Sequence, residues 1–377
     1  MLGQMHQKPI HIISFDNPFP PVYGGAIDVF YKIKALYGLG FRIYLHCFVD
    51  QLATDNATLG QYVEKVFFYE RKKKGIKLFS KAPFSVASRY NELLVKHISD
   101  IDAPILFEGL QSTYLLSKHE FGDRKIFLRL MNLESNYFEG LYRSEKDLFK
   151  KALFRIEAFK YERYQKIIAK FNAVFTLSVY ETEYVAKHFG NAHYIPVFHG
   201  NEKVATLSGF GKYALYHGDL RMADNKRAAL FLIDVFKKIP DYNLVIASNH
   251  GKKIIRKEIK NVPNVSYIDI KNQQHLDELL SESHMSVMLS FQQSGTKLKS
   301  VNALYKSRFC IINKNMVDDE KIRSLCTLAE TESEFIAAIN KLKTLPYEDY
   351  ERRKKVLDEV LDDHANAQSI SRIINQS

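Results

Sequence analysis

Short apolar runs rich in β-branched and aromatic residues alternate with helix-patterned stretches along nearly all of this chain, and the alternation restarts once. The pattern belongs to parallel α/β layers, because parallel strands need a crossover between them and are covered on both faces. In the first half, strands are expected at residues 11–15, 42–49, 66–69, 105–107, 126–130 and 173–177, with helices at 26–39 and 181–189. Residues 141–170 read as one long helix or two. In the second half, strands are expected at 213–217, 243–247, 265–269, 285–289 and 310–312, with helices at 225–239, 274–281, 298–305 and 332–342. Ile195-Pro196-Val197-Phe198-His199-Gly200-Asn201-Glu202 lies between them as the best domain boundary. For 377 residues, two Rossmann-like doubly wound domains at 1–200 and 201–350 fit better than one. Residues 351–377 then form a C-terminal helix packing back toward the first domain. Ligands in open parallel sheets bind beyond the carboxyl ends of strands, so two such domains would face a central cleft.

Composition narrows the partners. The chain is 46% hydrophobic and 26% charged, as in soluble globular proteins. It has no apolar run approaching the ~18 residues of a membrane span. The opening MLGQMHQKPIHIISF has no signal-peptide core, so a cytoplasmic location is expected. Cys47, Cys310 and Cys326 stand at no metal-ligand spacing and read as buried free thiols. The net charge of +11 calls for an anionic partner. Arg71-Lys72-Lys73-Lys74, with Lys77 and Lys81 and the apolar Ile76, Leu78 and Phe79, makes an anionic membrane surface one candidate, with peripheral attachment at the inner face. No nucleic-acid motif accompanies the basic runs, and nucleic acid is not an expected partner.

Two segments carry the chemistry. Pro20-Pro21-Val22-Tyr23-Gly24-Gly25 joins the first strand to an amphipathic helix, where adjacent glycines let the backbone approach an anion near a helix N-terminus. It is not GxGxxG, so the dinucleotide fingerprint is absent. Ser294-Gly295-Thr296-Lys297-Leu298-Lys299 leads into a helix whose free N–H groups converge with two lysines, a site suited to a diphosphate. Lys299, Asn302 and Lys306 share one face of that helix, while Leu298, Val301 and Leu304 anchor it.

These segments resemble family 4-type retaining glycosyltransferases (glycosyl transferases group 1) of the GT-B fold, in the divergent form of bacterial surface-polysaccharide clusters. The resemblance rests on PPVYGGAIDVFYKIKALYGLGFRIYLHCF, RLMNLESNYFEGL at Arg129–Leu141, YALYHGDL at Tyr213–Leu220 and SGTKLKSVNALYKSRFCIIN at Ser294–Asn313, in family order. It implies a nucleotide-sugar donor, a glycan or lipid-linked acceptor, and retaining transfer without metal or other cofactor. The donor-binding residues it implies are Gly24, Gly25, His217, Gly218, Arg221, Ser294, Gly295, Thr296, Lys297, Lys299 and Asn302. The pair of glutamates usual in the family falls on Ser294 and Asn302, and the usual arginine after the glycine turn falls on Asp219. Diphosphate neutralisation would then rest on Lys297, Lys299 and Arg221.

Glu108 at the end of the fourth strand, and Glu134 after the fifth, are the candidate catalytic or acceptor-orienting carboxylates. Asp100-Ile101-Asp102 has the pattern of a metal-holding D-x-D but precedes a strand, where such a motif would follow one. Two other readings remain beside transfer: a catalytically silent subunit that binds nucleotide or glycan, and a nucleotide-sugar epimerase.

Overall fold

The computed structural model describes residues 8–52, 58–72, 80–145, 147–292 and 297–376. The chain divides into two compact units, one of residues 1–200 with 361–377 and one of residues 201–360.

The first unit is built on a seven-stranded sheet: β1 (Lys8–Ser14), β2 (Phe41–Val49), β3 (Lys65–Glu70), β4 (Ile105–Glu108), β5 (Ile126–Leu130), β6 (Ala173–Thr176) and β7 (Ala192–Tyr194). All neighbours are parallel, in the order β3-β2-β1-β4-β5-β6-β7. The strands are continuous apolar runs because helices cover both faces; Ile12, Leu45, Phe107, Leu128 and Phe175 are each 0% exposed. The order reverses between β1 and β4, so a crevice is expected outside their carboxyl ends.

The second unit repeats the plan with β8 (Ala214–His217), β9 (Leu244–Ser248), β10 (Val265–Asp269), β11 (Met285–Met288), β12 (Phe309–Ile312) and β13 (Thr327–Leu328). Its parallel order is β10-β9-β8-β11-β12-β13. Here the reversal lies between β8 and β11, beside His217.

Every expected strand forms, with bounds shifted by a few residues at most. The short, polar β7 and β13 escaped notice, since Ala-His-Tyr and Thr-Leu carry no period. The stretch 141–170 resolves into helices Glu134–Ser144 and Leu148–Tyr164, separated where Asp147 caps the second by accepting from Lys150 N at 2.9 Å. The C-terminal segment is two helices, Tyr350–Val360 and Asp363–Gln376, not one. The second begins at Asp363, whose carboxylate accepts from the N–H groups of His199 and Gly200. Cys47 and Cys310 are buried and Cys326 is half-buried, all three as free thiols.

Candidate functional site

In the second unit, the turn after β8 is assembled around Asn225. Its Nδ2 donates to Asp219 O at 3.1 Å, and its Oδ1 accepts from Lys299 Nζ at 3.0 Å. A Cβ at Gly218 would lie 3.2 Å from Asn225 Cγ, so the glycine admits the asparagine. Tyr216 donates to Asn225 O at 2.8 Å, and Lys299 stands over the Tyr216 ring, 5.2 Å from its centroid. Burial pulls Lys299 down to about 8; Asp224 opposes that shift and Lys297 adds to it.

His217 closes β8, 5% exposed, and neither ring nitrogen has a hydrogen-bond partner among the described residues. Burial, with the charge of Lys299, pushes it to about 3, so the ring is neutral at physiological pH. Buried polar atoms are normally paired, and both ring nitrogens of His217 are open to a further hydrogen bond.

Lys297 precedes the helix Leu298–Lys306 and donates its N–H to Met316 O at 3.1 Å. Ser300 N donates to Lys297 O at 2.8 Å, whereas the preceding amides, at Leu298 and Lys299, have no intrahelical acceptor. Asp224 ties the end of β11 to the start of the helix Ala223–Lys237: Oδ2 accepts from Ser290 Oγ at 2.7 Å and Oδ1 from Phe291 N at 2.8 Å.

Not every expected donor residue joins this cluster. Arg221 is exposed and held by Asp219, with Nη2 2.7 Å from Oδ2, so its charge is matched within its own turn. Asn302 accepts from Asn201 Nδ2 at 3.0 Å, and Lys306 pairs with Asp277 at 2.8 Å. Ser294, Gly295 and Thr296 lie outside the described residues.

In the first unit, Gly24 and Gly25 open the helix Gly24–Gly38. A Cβ on Gly24 would meet nothing, whereas one on Gly25 would come within 2.8 Å of the Phe15 ring. Gly109, at φ +71°, approaches the same ring from the end of β4. Arg89 donates from Nε to Phe15 O at 2.6 Å.

Glu134 begins the helix Glu134–Ser144 and is 4% exposed. Burial raises it to about 7, although hydrogen bonds from Gln111 and Asn132 and the charge of Arg89 pull the other way. Glu134, Gln111, Gly109, Phe15, Gly25 and Arg89 thus form one neighbourhood at the carboxyl ends of β1, β4 and β5.

Glu108 differs from its expectation as an open, acceptor-facing carboxylate. It is fully buried, and its Oε2 accepts from Lys32 Nζ at 2.8 Å. Lys32 also donates to Asp28 at 2.9 Å, and Asp28 takes two bonds from Arg129, Nη2 to Oδ1 at 2.7 Å and Nε to Oδ2 at 3.1 Å. Arg129 donates onward to Ile195 O at 2.6 Å and Pro196 O at 2.9 Å, and Phe198 N donates to Asp28 at 2.9 Å. Two acids and two bases balance, as buried charges must. Desolvation works against the Asp28 carboxylate, but Arg129 and then Lys32 hold it well below its usual range. The clue in the sequence was the Asp28/Lys32 pair one helical turn apart behind the double glycine.

Asp102 of the D-x-D tripeptide is exposed and pairs with Arg124 at 3.2 Å. In the basic run, Arg71 pairs with Asp50 at 3.0 Å, and Lys73, Lys74, Ile76, Lys77, Leu78 and Phe79 lie outside the described residues. Among the described residues, no helix is long and apolar enough to cross a membrane, and no group of three or more His, Cys, Asp or Glu could hold a metal ion.

Solved structures of the same architecture include sucrose-phosphate synthase of Thermosynechococcus elongatus, with TM-score 0.70 and 13% identity over 98% of this chain and 99% of that one. The trehalose-6-phosphate synthase OtsA matches at TM-score 0.68 and 10% identity, again over 98% and 99%. TarM matches at TM-score 0.67 and 13% identity over the same shares. The fold is GT-B. At such identities the likeness carries the fold alone. No family model matches the chain. Among curated proteins, an uncharacterized 44.6 kDa protein in the cps region of Klebsiella pneumoniae is 24% identical over 323 residues, covering 80% of this chain and 82% of that protein. The strand order reverses at β1/β4 and at β8/β11, and the cluster around Lys299 lies at the second reversal.

Proposed function

We propose that this chain is a glycosyltransferase that moves a sugar from a nucleotide-diphosphate donor to a glycan or lipid-linked acceptor during surface-polysaccharide synthesis. The observation that carries this reading is the arrangement at the β8/β11 reversal, where Lys299, partly desolvated, and His217, with both nitrogens unbonded, meet at a glycine turn beside a helix N-terminus. A cation and free amides suit a diphosphate, and a neutral imidazole suits a hydroxyl of the attached nucleoside or sugar. The GT-B fold supports the reading. So does the company it keeps: TarM of S. aureus is described with UDP and alpha-GlcNAc-glycerol, and an E. coli relative in fold with UDP-2-fluoro glucose. The cps region of the Klebsiella relative supports a polysaccharide product.

Chemistry follows from charge development. As the sugar–phosphate bond breaks, negative charge grows on the departing diphosphate, and Lys299, Lys297 and the helix-start amides stabilise it. No divalent ion is needed for that task, and transfer on the same face of the sugar, with retention, needs no protein nucleophile. Glu134, whose carboxyl titrates near neutrality, is suited to take the proton of an acceptor hydroxyl. Glu108 acts through Lys32 as a positioning residue. The protein would work in the cytoplasm, at the inner face of an anionic membrane when the acceptor is lipid-linked.

Thermal-shift titration with a panel of nucleotide-sugars tests the donor, since a true one raises apparent stability by mass action. Absence of any shift across the panel would end the proposal. A second reading, a silent nucleotide-binding subunit, is favoured by Asp219, which stands at the position of the arginine usual in the resembled family and pairs with Arg221. Donor stabilisation without transfer or donor hydrolysis by the pure protein would select it.

A further inference from the structure

The N-terminal unit holds a cavity of about 790 Å³ between residues 80–82, the turn Leu110–Ser117 and the helix Leu148–Tyr164. We infer that it is a binding site for an anionic glycan, a carboxylate- or phosphate-bearing oligosaccharide. The inference rests on the sugar-transfer reading and narrows its acceptor class.

Tyr114, Phe159 and Tyr164 line the cavity with aromatic faces, and Lys81, Lys118 and Arg163 line it with cations. No Asp or Glu is among the described lining residues. The guanidinium of Arg163 lies over the Phe159 ring, 4.1 Å from its centroid, which orients its planar N–H edges for a bidentate anion. A fourth cation, Lys160, is only 8% exposed and pairs at 3.3 Å with Glu157. Glu157 is in turn held by the Phe84 N–H at 2.8 Å and kept out of the lining.

The walls are braced from behind. Tyr164 bonds Thr113 Oγ1 at 2.9 Å, and Tyr161, next to Lys160, bonds Ser85 Oγ at 2.5 Å. The volume falls in the ~300–1,000 Å³ range of small-molecule sites and suits a few sugar rings. Rings with an apolar face and a charged substituent match walls that alternate aromatic groups and cations. A flat lipid surface would leave the concavity unfilled. The exposed Leu148 and Phe149 at the far end of the same helix make lipid the competitor to be tested.

Isothermal titration of the full chain with trigalacturonate, maltotriose, inorganic phosphate and phosphatidylglycerol vesicles decides the matter. Trigalacturonate should bind, more weakly at high salt, and lose affinity by about tenfold or more in the exposed double variant Lys118→Ala/Arg163→Ala and in Phe159→Ala. Maltotriose and phosphate should bind far more weakly. No binding of trigalacturonate, equal binding by the double variant, or equal affinity for maltotriose or phosphate overturns the inference. So does vesicle binding that depends on Lys118 and Arg163 while trigalacturonate fails. Donor recognition is read separately: Lys299→Ala should keep trigalacturonate binding, and a chain that binds trigalacturonate but no nucleotide-sugar sinks the transferase reading alone.

Discussion

Lys299 donates from Nζ to Oδ1 of Asn225 at 3.0 Å, and this bond ties the helix after β11 to the turn after β8. Both elements border the sheet reversal, so a single contact sets where a cation stands beside it.

Replacing Lys299 with Met removes that cation and leaves the apolar stem. Loss of a charge-assisted contact should weaken donor binding by about 10- to 100-fold, with little change in fold. Because burial lowers Lys299 to about 8, the wild-type affinity should also fall as pH rises from 7 to 9. The variant's weaker affinity should be flat across that range. Donor titrations at both pH values check this.

Glu134 should leave a signature in the pH profile of transfer. If its carboxylate accepts the acceptor proton, kcat/KM rises with pH through about 7, and Glu134→Gln removes both the limb and most of the rate. Stability provides the control. The folded pKa is above the unfolded one, so the stability this group contributes is present at low pH and lost as pH rises through about 7. Glu134→Gln should therefore fold at least as well as the wild type at pH 8.

The buried quartet predicts unequal costs. Arg129→Met leaves Asp28 with Lys32 as its one charged partner among the described residues, so urea unfolding should show a loss of about 3–5 kcal/mol. Glu108→Gln should cost less, because among the described residues Glu108 meets Lys32 alone and its Oε1 has no partner.

A chain of rings crosses the first sheet: His11 Nδ1 to His46 Nε2 at 2.9 Å, His46 Nδ1 to the Tyr69 hydroxyl at 2.8 Å, and Tyr69 to His97 Nδ1 at 2.8 Å. His11 Nε2 meets Ile101 O at 3.0 Å and must donate there, which leaves Nδ1 as acceptor and His46 Nε2 as donor. Burial lowers all three histidines, so the unfolded chain binds protons that the folded chain refuses. Stability should fall as pH drops below about 6.5, opposite in sign to Glu134. In His46→Phe the slope between pH 7 and 5 should be shallower, as thermal melts would show.

Transfer should survive EDTA, because the proposed stabilisation of the leaving diphosphate uses lysines and amides. Loss of turnover that added Mg²⁺ or Mn²⁺ restores would refute that part of the mechanism.

Much of the architecture was legible in the chain itself. Period and apolar runs mark strands such as Ile126–Leu130 and helices such as Glu332–Leu342 without help from packing, because parallel strands buried on both faces must be continuously apolar. The glycine turns at Gly25 and Gly218 were visible too, although their reasons, the Phe15 ring and the Asn225 side chain, were not.

Roles of charged residues were another matter. Arg221 and Lys299 look alike as cations near a binding loop, yet one is matched by Asp219 in its own turn and the other is desolvated against Asn225 and Tyr216. Glu108 ends one strand and Glu134 follows the next, yet one is turned into an ion network and the other sits buried near neutrality. Hydrophobic pattern is local and additive along the chain, so the sequence by itself determined the longer strands, the helices and the two Rossmann-like domains, and its resemblance to a family added the GT-B plan. A charge takes its meaning from burial and from partners up to about a hundred residues away, such as Asp28 and Arg129, and only the tertiary structure decides those.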